Sequence, residues 1–183
     1  MAYTNQIITN PIIGDRVKFL ITEKDSNGKQ LRVELWCKPN AQGTPLHYHP
    51  LQDERFEVVK GKLGVNDNGK DMFLNPGENY TVLKNSIHRF WNADKDKEVL
   101  VLVDFFPALK TEYCLETIYS LANQGKSDKG GMPKNPLQLA AMMNNHYGEL
   151  FFLNPPIPIQ KFMAKVVGRI AKLVGYKGYV PMI

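Results

Sequence analysis

The stretch from Gly43 to Gly61 decides the fold and reads GTPLHYHPLQDERFEVVKG. His47 and His49 are two residues apart, and side chains at that spacing on a β-strand point to the same face. Glu54 follows five residues after His49. Neutral imidazole and carboxylate together form a ligand set for transition metals. The stretch therefore predicts a metal site to which His47 and His49 point together.

A second stretch, from Gly77 to Asn92, reads GENYTVLKNSIHRFWN and supplies a third imidazole, His88. The two stretches resemble the two motifs of the cupin superfamily. The first has the family's glycine, His-x-His, glutamate and closing glycine in register, and the second matches at its glycine, histidine and final asparagine. Leu83 and Asn85 stand where the family usually has proline and glycine. Asparagine tolerates positive φ better than most residues, so we expect Asn85 to make this turn.

The resemblance implies a mainly β fold, a small double-stranded β-helix (jelly-roll) barrel followed by C-terminal α-helices. It also implies a single divalent transition metal ion, which could be iron, manganese, nickel, copper or zinc. The resemblance assigns the metal to four ligands: His47, His49, Glu54 and His88. Family members include dioxygenases, isomerases, decarboxylases, storage proteins and sensory domains, so the fold is better determined than the function.

Three polar residues near these motifs have simpler interpretations. Glu57 lies three residues after Glu54, so on an extended strand it points away from the metal. Asn92 is predicted to be a structural residue that helps orient His88. His146 fits no motif and is predicted to be an ordinary helical residue.

The pattern of predicted secondary structure divides the 183 residues into two parts, which we expect to form one folded unit. Residues 1–107 contain many short strands separated by turns, among them an Asn27-Gly28 pair typical of hairpins. Residues 108–183 are predicted to be mainly helical, with helices at 111–123, at 137 to about 147 and at 159 to about 174. Asn135 and Pro136 have the pattern of an N-cap followed by proline at the first helical position.

The third predicted helix is the most amphipathic. Large apolar residues recur along it at helical spacing, and basic residues occupy its other faces. The apolar positions are Phe162, Val166, Ile170 and Leu173. We expect this apolar stripe to pack on the barrel, where outward aromatics such as Trp91 and Tyr48 need a cover, or across a homodimer interface. A basic amphipathic helix can also lie on a membrane surface, which we consider the less favoured alternative.

Strand parity also predicts a substrate pocket. If Glu54 points into the barrel, Phe56 and Val58 do so too, and if His88 points inward, so does Phe90. These side chains would make an apolar, aromatic pocket beside the metal, suited to a small aromatic or apolar ligand.

Three neutral imidazoles and one carboxylate leave open positions on an octahedral divalent ion, an arrangement that resembles non-haem oxygenases. We therefore predict an enzyme of the mononuclear dioxygenase type, with Glu54 as catalytic base by resemblance to flavonol-cleaving dioxygenases. The alternative is a non-catalytic cupin that binds or senses a small molecule. The two motifs do not separate these functions.

Charge and composition limit the partners. The net charge is +5, of which the residues after Asn135 carry +4, from five basic residues and one acid. Nothing resembles a nucleic-acid-binding fold, so we expect no nucleic-acid partner. The chain has no run of about 18 apolar residues and does not start with a secretory signal. We expect a cytoplasmic protein with Cys37 and Cys114 as free thiols.

Overall fold

The computed structural model of the protein describes residues 1–182, and its core is a jelly-roll barrel of two antiparallel sheets. The strands are β1 (Ile7–Thr9), β2 (Arg16–Ile21), β3 (Leu31–Cys37), β4 (His47–Tyr48), β5 (Asp53–Lys60), β6 (Leu63–Asp67), β7 (Lys70–Leu74), β8 (Asn79–Val82), β9 (His88–Asn92), β10 (Val99–Phe106) and β11 (Phe151–Phe152). The six-stranded sheet has the order β1-β2-β3-β10-β5-β8, and the five-stranded sheet has the order β11-β4-β9-β6-β7. The predicted mainly β jelly-roll fold is confirmed.

Alternation along the strands fills the barrel. In β3 the residues from Leu31 to Cys37 alternate between buried and half-buried positions, so the apolar face lines the core and the polar face is turned outward. Asn27 and Gly28 both have positive φ in the connection between the paired strands β2 and β3. Asn68 and Gly69 do the same between β6 and β7, where the tight turn matches the twist of the two strands.

The helices follow the barrel strands in sequence. They are α1 (Thr111–Asn123), α2 (Pro136–Asn145), α3 (Ile157–Phe162) and α4 (Gly168–Leu173), and a π-helical segment (Met163–Val167) joins α3 to α4. The helical backbone is continuous from 157 to 173. The side chain of Asn135 accepts hydrogen bonds from the N–H groups of Leu137 and Gln138, which explains why α2 begins there.

Polar and small residues, not large apolar ones, form the buried face of this continuous helix. Its buried positions are Gln160, Ala164, Gly168 and Ala171. A methyl group added at Gly168 would overlap the carbonyl oxygen of Ala140 in α2, so the two helix backbones are in close contact.

The apolar stripe of Phe162, Val166, Ile170 and Leu173 is exposed, with 44–87% of each side chain open to solvent. Within this chain the expected packing of the stripe on the barrel is therefore wrong. Packing across a homodimer stays a prediction.

A different part of the chain after Phe106 covers the barrel. Strand β11 adds to the edge of the five-stranded sheet beside β4, and the Phe151 ring stacks on Tyr48 with 5.7 Å between centroids. Trp91 needs no helix, because its ring lies over Gly64 and contacts Phe73 edge-to-face at 6.0 Å.

Two further features of the described residues concern cysteine and membranes. Cys37 and Cys114 form no disulfide. None of the helices within residues 1–182 has the length and apolarity needed to cross a bilayer.

Candidate metal centre

The jelly roll brings the four predicted ligands together from both sheets. His47 of β4 lies opposite His88 of β9 in the five-stranded sheet, and His49 follows directly after β4. Glu54 reaches the same point from β5 in the six-stranded sheet. All four side chains are buried, with 1–5% of each residue exposed.

One ligand atom from each of the four residues can be chosen so that all lie within 4.8 Å of one another. Two nitrogen or oxygen atoms on opposite sides of one metal ion, each bonded at ~2.0–2.2 Å, are about 4.0–4.4 Å apart. The Glu54 carboxylate is central to the cluster, since its Oε2 lies 2.9 Å from His88 Nε2 and 3.4 Å from His49 Nε2. The cluster therefore has the size of a mononuclear metal site.

Backbone carbonyls fix the orientation of all three imidazoles. His47 Nδ1 lies 2.8 Å from the carbonyl oxygen of Pro45, and His88 Nδ1 lies 2.9 Å from that of Ser86. His49 Nδ1 lies 3.1 Å from the carbonyl oxygen of Glu149. A carbonyl only accepts, so each Nδ1 carries the proton and each Nε2 presents its lone pair to the cluster when the ring is neutral. Such a second hydrogen bond is usual for a metal-bound histidine.

The resulting set of donor atoms fits a metal cation. With the three Nδ1 protons given to carbonyls, three Nε2 lone pairs and a carboxylate face one another in a buried space. Acceptors this close repel each other unless a proton or a metal cation lies between them. The cluster can therefore hold a divalent metal ion, with Nε2 of each histidine and a Glu54 oxygen as ligands.

The pKa values describe the cluster when a proton, and not a metal cation, lies between these acceptors. Burial opposes ionisation of Glu54, but hydrogen bonds to His49 and His88 outweigh it and hold the pKa of Glu54 below its usual value. Burial, helped by the neighbouring His88, lowers the pKa of His47 to about 3, so this ring stays neutral. Burial disfavours charge on His88 too, but its hydrogen bond to Glu54 more than offsets this and raises its pKa.

The turn that departs from the family pattern is intact. Asn85 adopts a φ of 68°, in the left-handed region where glycine usually stands. Its N–H donates to the carbonyl oxygen of His49 at 2.8 Å, which ties the turn before His88 to the strand that carries the other histidines. The expectation that Asn85 makes this turn is confirmed.

Asn92 has a different structural role from the one predicted. Its side-chain amide donates to the carbonyl oxygens of Cys37, Lys38 and Lys97, and its oxygen accepts from the N–H of Asp94. It joins the ends of β3 and β9 to the loop before β10, and makes no hydrogen bond to His88 among the described residues.

Glu57 and His146 lie outside the cluster. Glu57 points away from it and pairs with Arg55 at 2.9 Å. His146 is buried at the C-terminal end of α2, where burial lowers its pKa to about 4. Its Nδ1 lies 4.0 Å from the Glu149 carboxylate, so it is near a residue that supports His49.

The residues predicted to line a pocket are core residues. Phe56, Val58 and Phe90 are all buried in the barrel, and the rings of Phe56 and Phe90 lie 5.3 Å apart. The alternation of side chains along the strands therefore correctly predicted that these three side chains point into the barrel. Their contact with a substrate stays a prediction.

Sequence reasoning missed three neighbours of the cluster. Phe105 of β10 lies opposite Glu54, with its ring 6.2 Å from that of His49. Phe152 of β11 lies opposite His47, with its ring also 6.2 Å away. Glu149 supplies the carbonyl for His49. Phe105 lies on a predicted strand, but its partner depends on sheet order, and the other two depend on how the last third of the chain returns to the barrel.

Comparisons with known proteins agree with the geometry. A family model described as "Cupin domain" matches residues 36–105, the part of the chain that carries all four ligands. A predicted oxalate decarboxylase from Thermotoga maritima has a TM-score of 0.50, with 19% identity over 57% of this chain and 92% of that one. An RmlC-like cupin from Shewanella frigidimarina also has a TM-score of 0.50, with 21% identity over 61% of this chain and 94% of that one. Likeness at this level shows the fold.

Curated relatives from fungi carry oxidoreductase names. "Epoxidase atD" of Aspergillus terreus is 27% identical over 159 residues, 82% of this chain but 50% of that protein. "Oxidoreductase iacF" of Pestalotiopsis fici is 26% identical over 128 residues, 65% of this chain and 63% of that protein. This chain thus spans between half and two thirds of the length of these two relatives.

Proposed function

This chain contains a cupin superfamily domain, and from that premise we propose that it is a metal-dependent enzyme of the mononuclear non-haem dioxygenase type, acting on a small aromatic or apolar molecule. The observation that carries the proposal is the preorganised ligand set. Three imidazoles are held by backbone carbonyls so that each Nε2 faces the Glu54 carboxylate. The fungal relatives named as an epoxidase and an oxidoreductase support redox chemistry over other cupin functions.

The roles of the residues follow from their geometry. A bound divalent ion such as iron or manganese would supply open coordination positions for oxygen and substrate. His47, His49 and His88 would hold that ion through Nε2 and keep their orientation through Nδ1. Glu54 is the proposed base: a carboxylate oxygen that is not bound to the metal would take the proton from an acidic hydroxyl group of the substrate.

Apolar side chains support the proposed class of substrate. The loops that carry the ligands expose several large ones: Leu46, Leu51, Leu83 and Ile87. The rings of Phe105 and Phe152 each lie 6.2 Å from a histidine ring of the cluster. An apolar or aromatic molecule would gain from contact with both groups, whereas a sugar would leave hydroxyl groups without partners there.

A non-catalytic binding protein is the second candidate. The observation that favours it is the near-complete burial of the cluster, in which each of the four residues is at most 5% exposed. A binding protein needs only a fixed site, while an enzyme must also admit oxygen and release product.

Oxygen uptake separates the two candidates. The full chain would be loaded with iron or manganese and mixed with a panel of phenolic and apolar substrates, with the double variant His47→Ala/His49→Ala as control. Metal-dependent oxygen consumption with at least one substrate, absent in the control, would support the enzyme. Tight ligand binding by the loaded protein with no oxygen uptake across the panel would favour the binding protein.

A further inference from the structure

The continuous helix 157–173 exposes a stripe of large apolar residues, while Ala164, Gly168 and Ala171 are buried. Pairs of a cation and an apolar residue repeat along its outer face, and every member is exposed. The pairs are Lys161 with Phe162, Lys165 with Val166, Arg169 with Ile170, and Lys172 with Leu173. A helix of a soluble protein normally shows the opposite arrangement, so this apolar face is built for contact with something outside the chain.

We propose that this helix docks on an anionic phospholipid surface, with the apolar stripe at the boundary between acyl chains and headgroups and the row of cations among the headgroups. The pattern fits because each cation directly precedes an apolar residue, which places the four cations in one row along one flank of the stripe. A helix that lies in a membrane interface needs this division into an apolar face and a basic flank.

Charge favours lipid over a second copy of this chain. No acidic residue follows Glu149, while the same segment carries five basic residues. A twofold contact between antiparallel copies of this helix would bring the two cation rows to the same side, with no carboxylate on either helix to neutralise them. An anionic surface neutralises the whole row at once.

The size of the face also argues against self-association. The helix has 17 residues from 157 to 173. At 1.5 Å per residue it is about 25 Å long, and with a face ~10 Å wide it offers roughly 250 Å². A stable protein interface needs about 800 Å² from each partner. A shallow and reversible membrane contact has no such requirement.

The packing of the helix against α2 keeps the apolar stripe turned away from the rest of the protein. Gly168 and Ala164 bring the helix so close to α2 that no large side chain fits between them. Lys165 lies over the Tyr147 ring at 4.9 Å, which keeps part of the cation row beside an exposed aromatic residue. Tryptophan and tyrosine prefer the headgroup region of a membrane, so Tyr147 suits the same surface.

Vesicle flotation tests the proposal with the full-length chain. We expect it to float with vesicles that contain phosphatidylserine and far less with vesicles of pure phosphatidylcholine, and salt should weaken the binding. Phe162→Gln/Ile170→Gln should abolish flotation, because it removes apolar contact from exposed positions. Arg169→Gln/Lys172→Gln should weaken binding about 25-fold, at about fivefold for each cation.

Lys70→Gln/Lys95→Gln is the matched control, since it removes the same charge from exposed positions outside the helix and should change binding less than about twofold. The absence of binding to phosphatidylserine vesicles would overturn the proposal. An equal loss in the control pair would do the same, because it would show attraction to overall charge. So would a solution dimer that Phe162→Gln/Ile170→Gln converts to a monomer, with no lipid binding by either form.

Discussion

At the residue scale, the site depends on which nitrogen of each histidine is left to face the cluster. Pro45, Ser86 and Glu149 each offer a carbonyl to an Nδ1 atom, and that single contact selects the tautomer with Nε2 free. Two of these carbonyls belong to residues two positions before the histidine they serve, so the turn that delivers the ligand also orients it. The third comes from the distant residue Glu149.

Glu54 and Glu57 allow a matched test of the metal site. They are three residues apart on β5 and have opposite directions, one toward the cluster and one toward Arg55 on the surface. We expect Glu54→Gln to weaken metal affinity by more than the ~10–100-fold that loss of a supporting hydrogen bond costs, because it removes the only anionic ligand. Glu57→Gln should leave affinity unchanged. Titration with a competing chelator measures both, and similar affinities for the two variants would contradict the site.

Proton competition should make metal binding depend on pH. The pKa of His88 is raised, while that of His47 lies at about 3, so protons compete with the metal first at His88. Free histidine titrates near ~6.5, and His88 takes up its proton at a higher pH than that. Apparent affinity should therefore begin to fall above pH ~6.5 and continue to fall as the pH drops further. Equilibrium dialysis measures this, and metal retained at pH ~3 after long dialysis would show that the histidines are not the ligands.

At the element scale, local patterns predicted most of the structure. Features that depend only on residues close in sequence are found where the sequence predicts them. They are the two motifs, the Asn-Gly turns and the N-cap at Asn135. The face of the third helix was predicted wrongly for the single chain, because amphipathicity shows that an apolar face exists and not what covers it. Gly168 is buried because it lies close to α2. The periodicity of a single helix does not show which other helix it packs against, so the sequence did not predict this contact.

The contact of Gly168 with α2 can be tested by adding one methyl group. In Gly168→Ala the new Cβ meets the rigid backbone carbonyl of Ala140 and must push the helices apart, which should cost about 2–3 kcal/mol, at the upper end of the range for overpacking. After the gain of ~1 kcal/mol that alanine brings to a helix interior is subtracted, the protein should be destabilised by about 1–2 kcal/mol. Val166→Ala, on the exposed face, should change stability by less than about 0.5 kcal/mol. Chemical denaturation measures both, and a stabilised Gly168→Ala variant would mean that the helices are not in close contact.

At the scale of the whole molecule, the chain after Phe106 contributes to the candidate metal centre. Strand β11 pairs with β4, which carries His47, and Phe152 lies beside the His47 ring. The Glu149 carbonyl holds His49, and the Glu149 carboxylate is itself fixed by the N–H of Lys110 at 3.0 Å. All four candidate ligands precede this segment, yet the orientation of two of them depends on it. We therefore propose that residues 1–107 and 108–183 act as one folded unit.

Removal of this segment should damage the metal site as well as the fold. A chain that ends at Leu109 lacks the Glu149 carbonyl and β11, so we expect it to aggregate or to bind metal weakly.

Phe151→Ala is the milder variant. It removes the ring that stacks on Tyr48 and should cost about 3–5 kcal/mol of stability, as loss of a buried phenylalanine usually does. Because the Phe151 ring stacks on Tyr48, its loss should act on metal affinity through the position of β4. Metal content and melting temperature measure both effects. A soluble, monomeric and fully metal-loaded protein that ends at Leu109, with an unchanged melting temperature, would show that the helical segment is a separate module and that the barrel orients His49 without it.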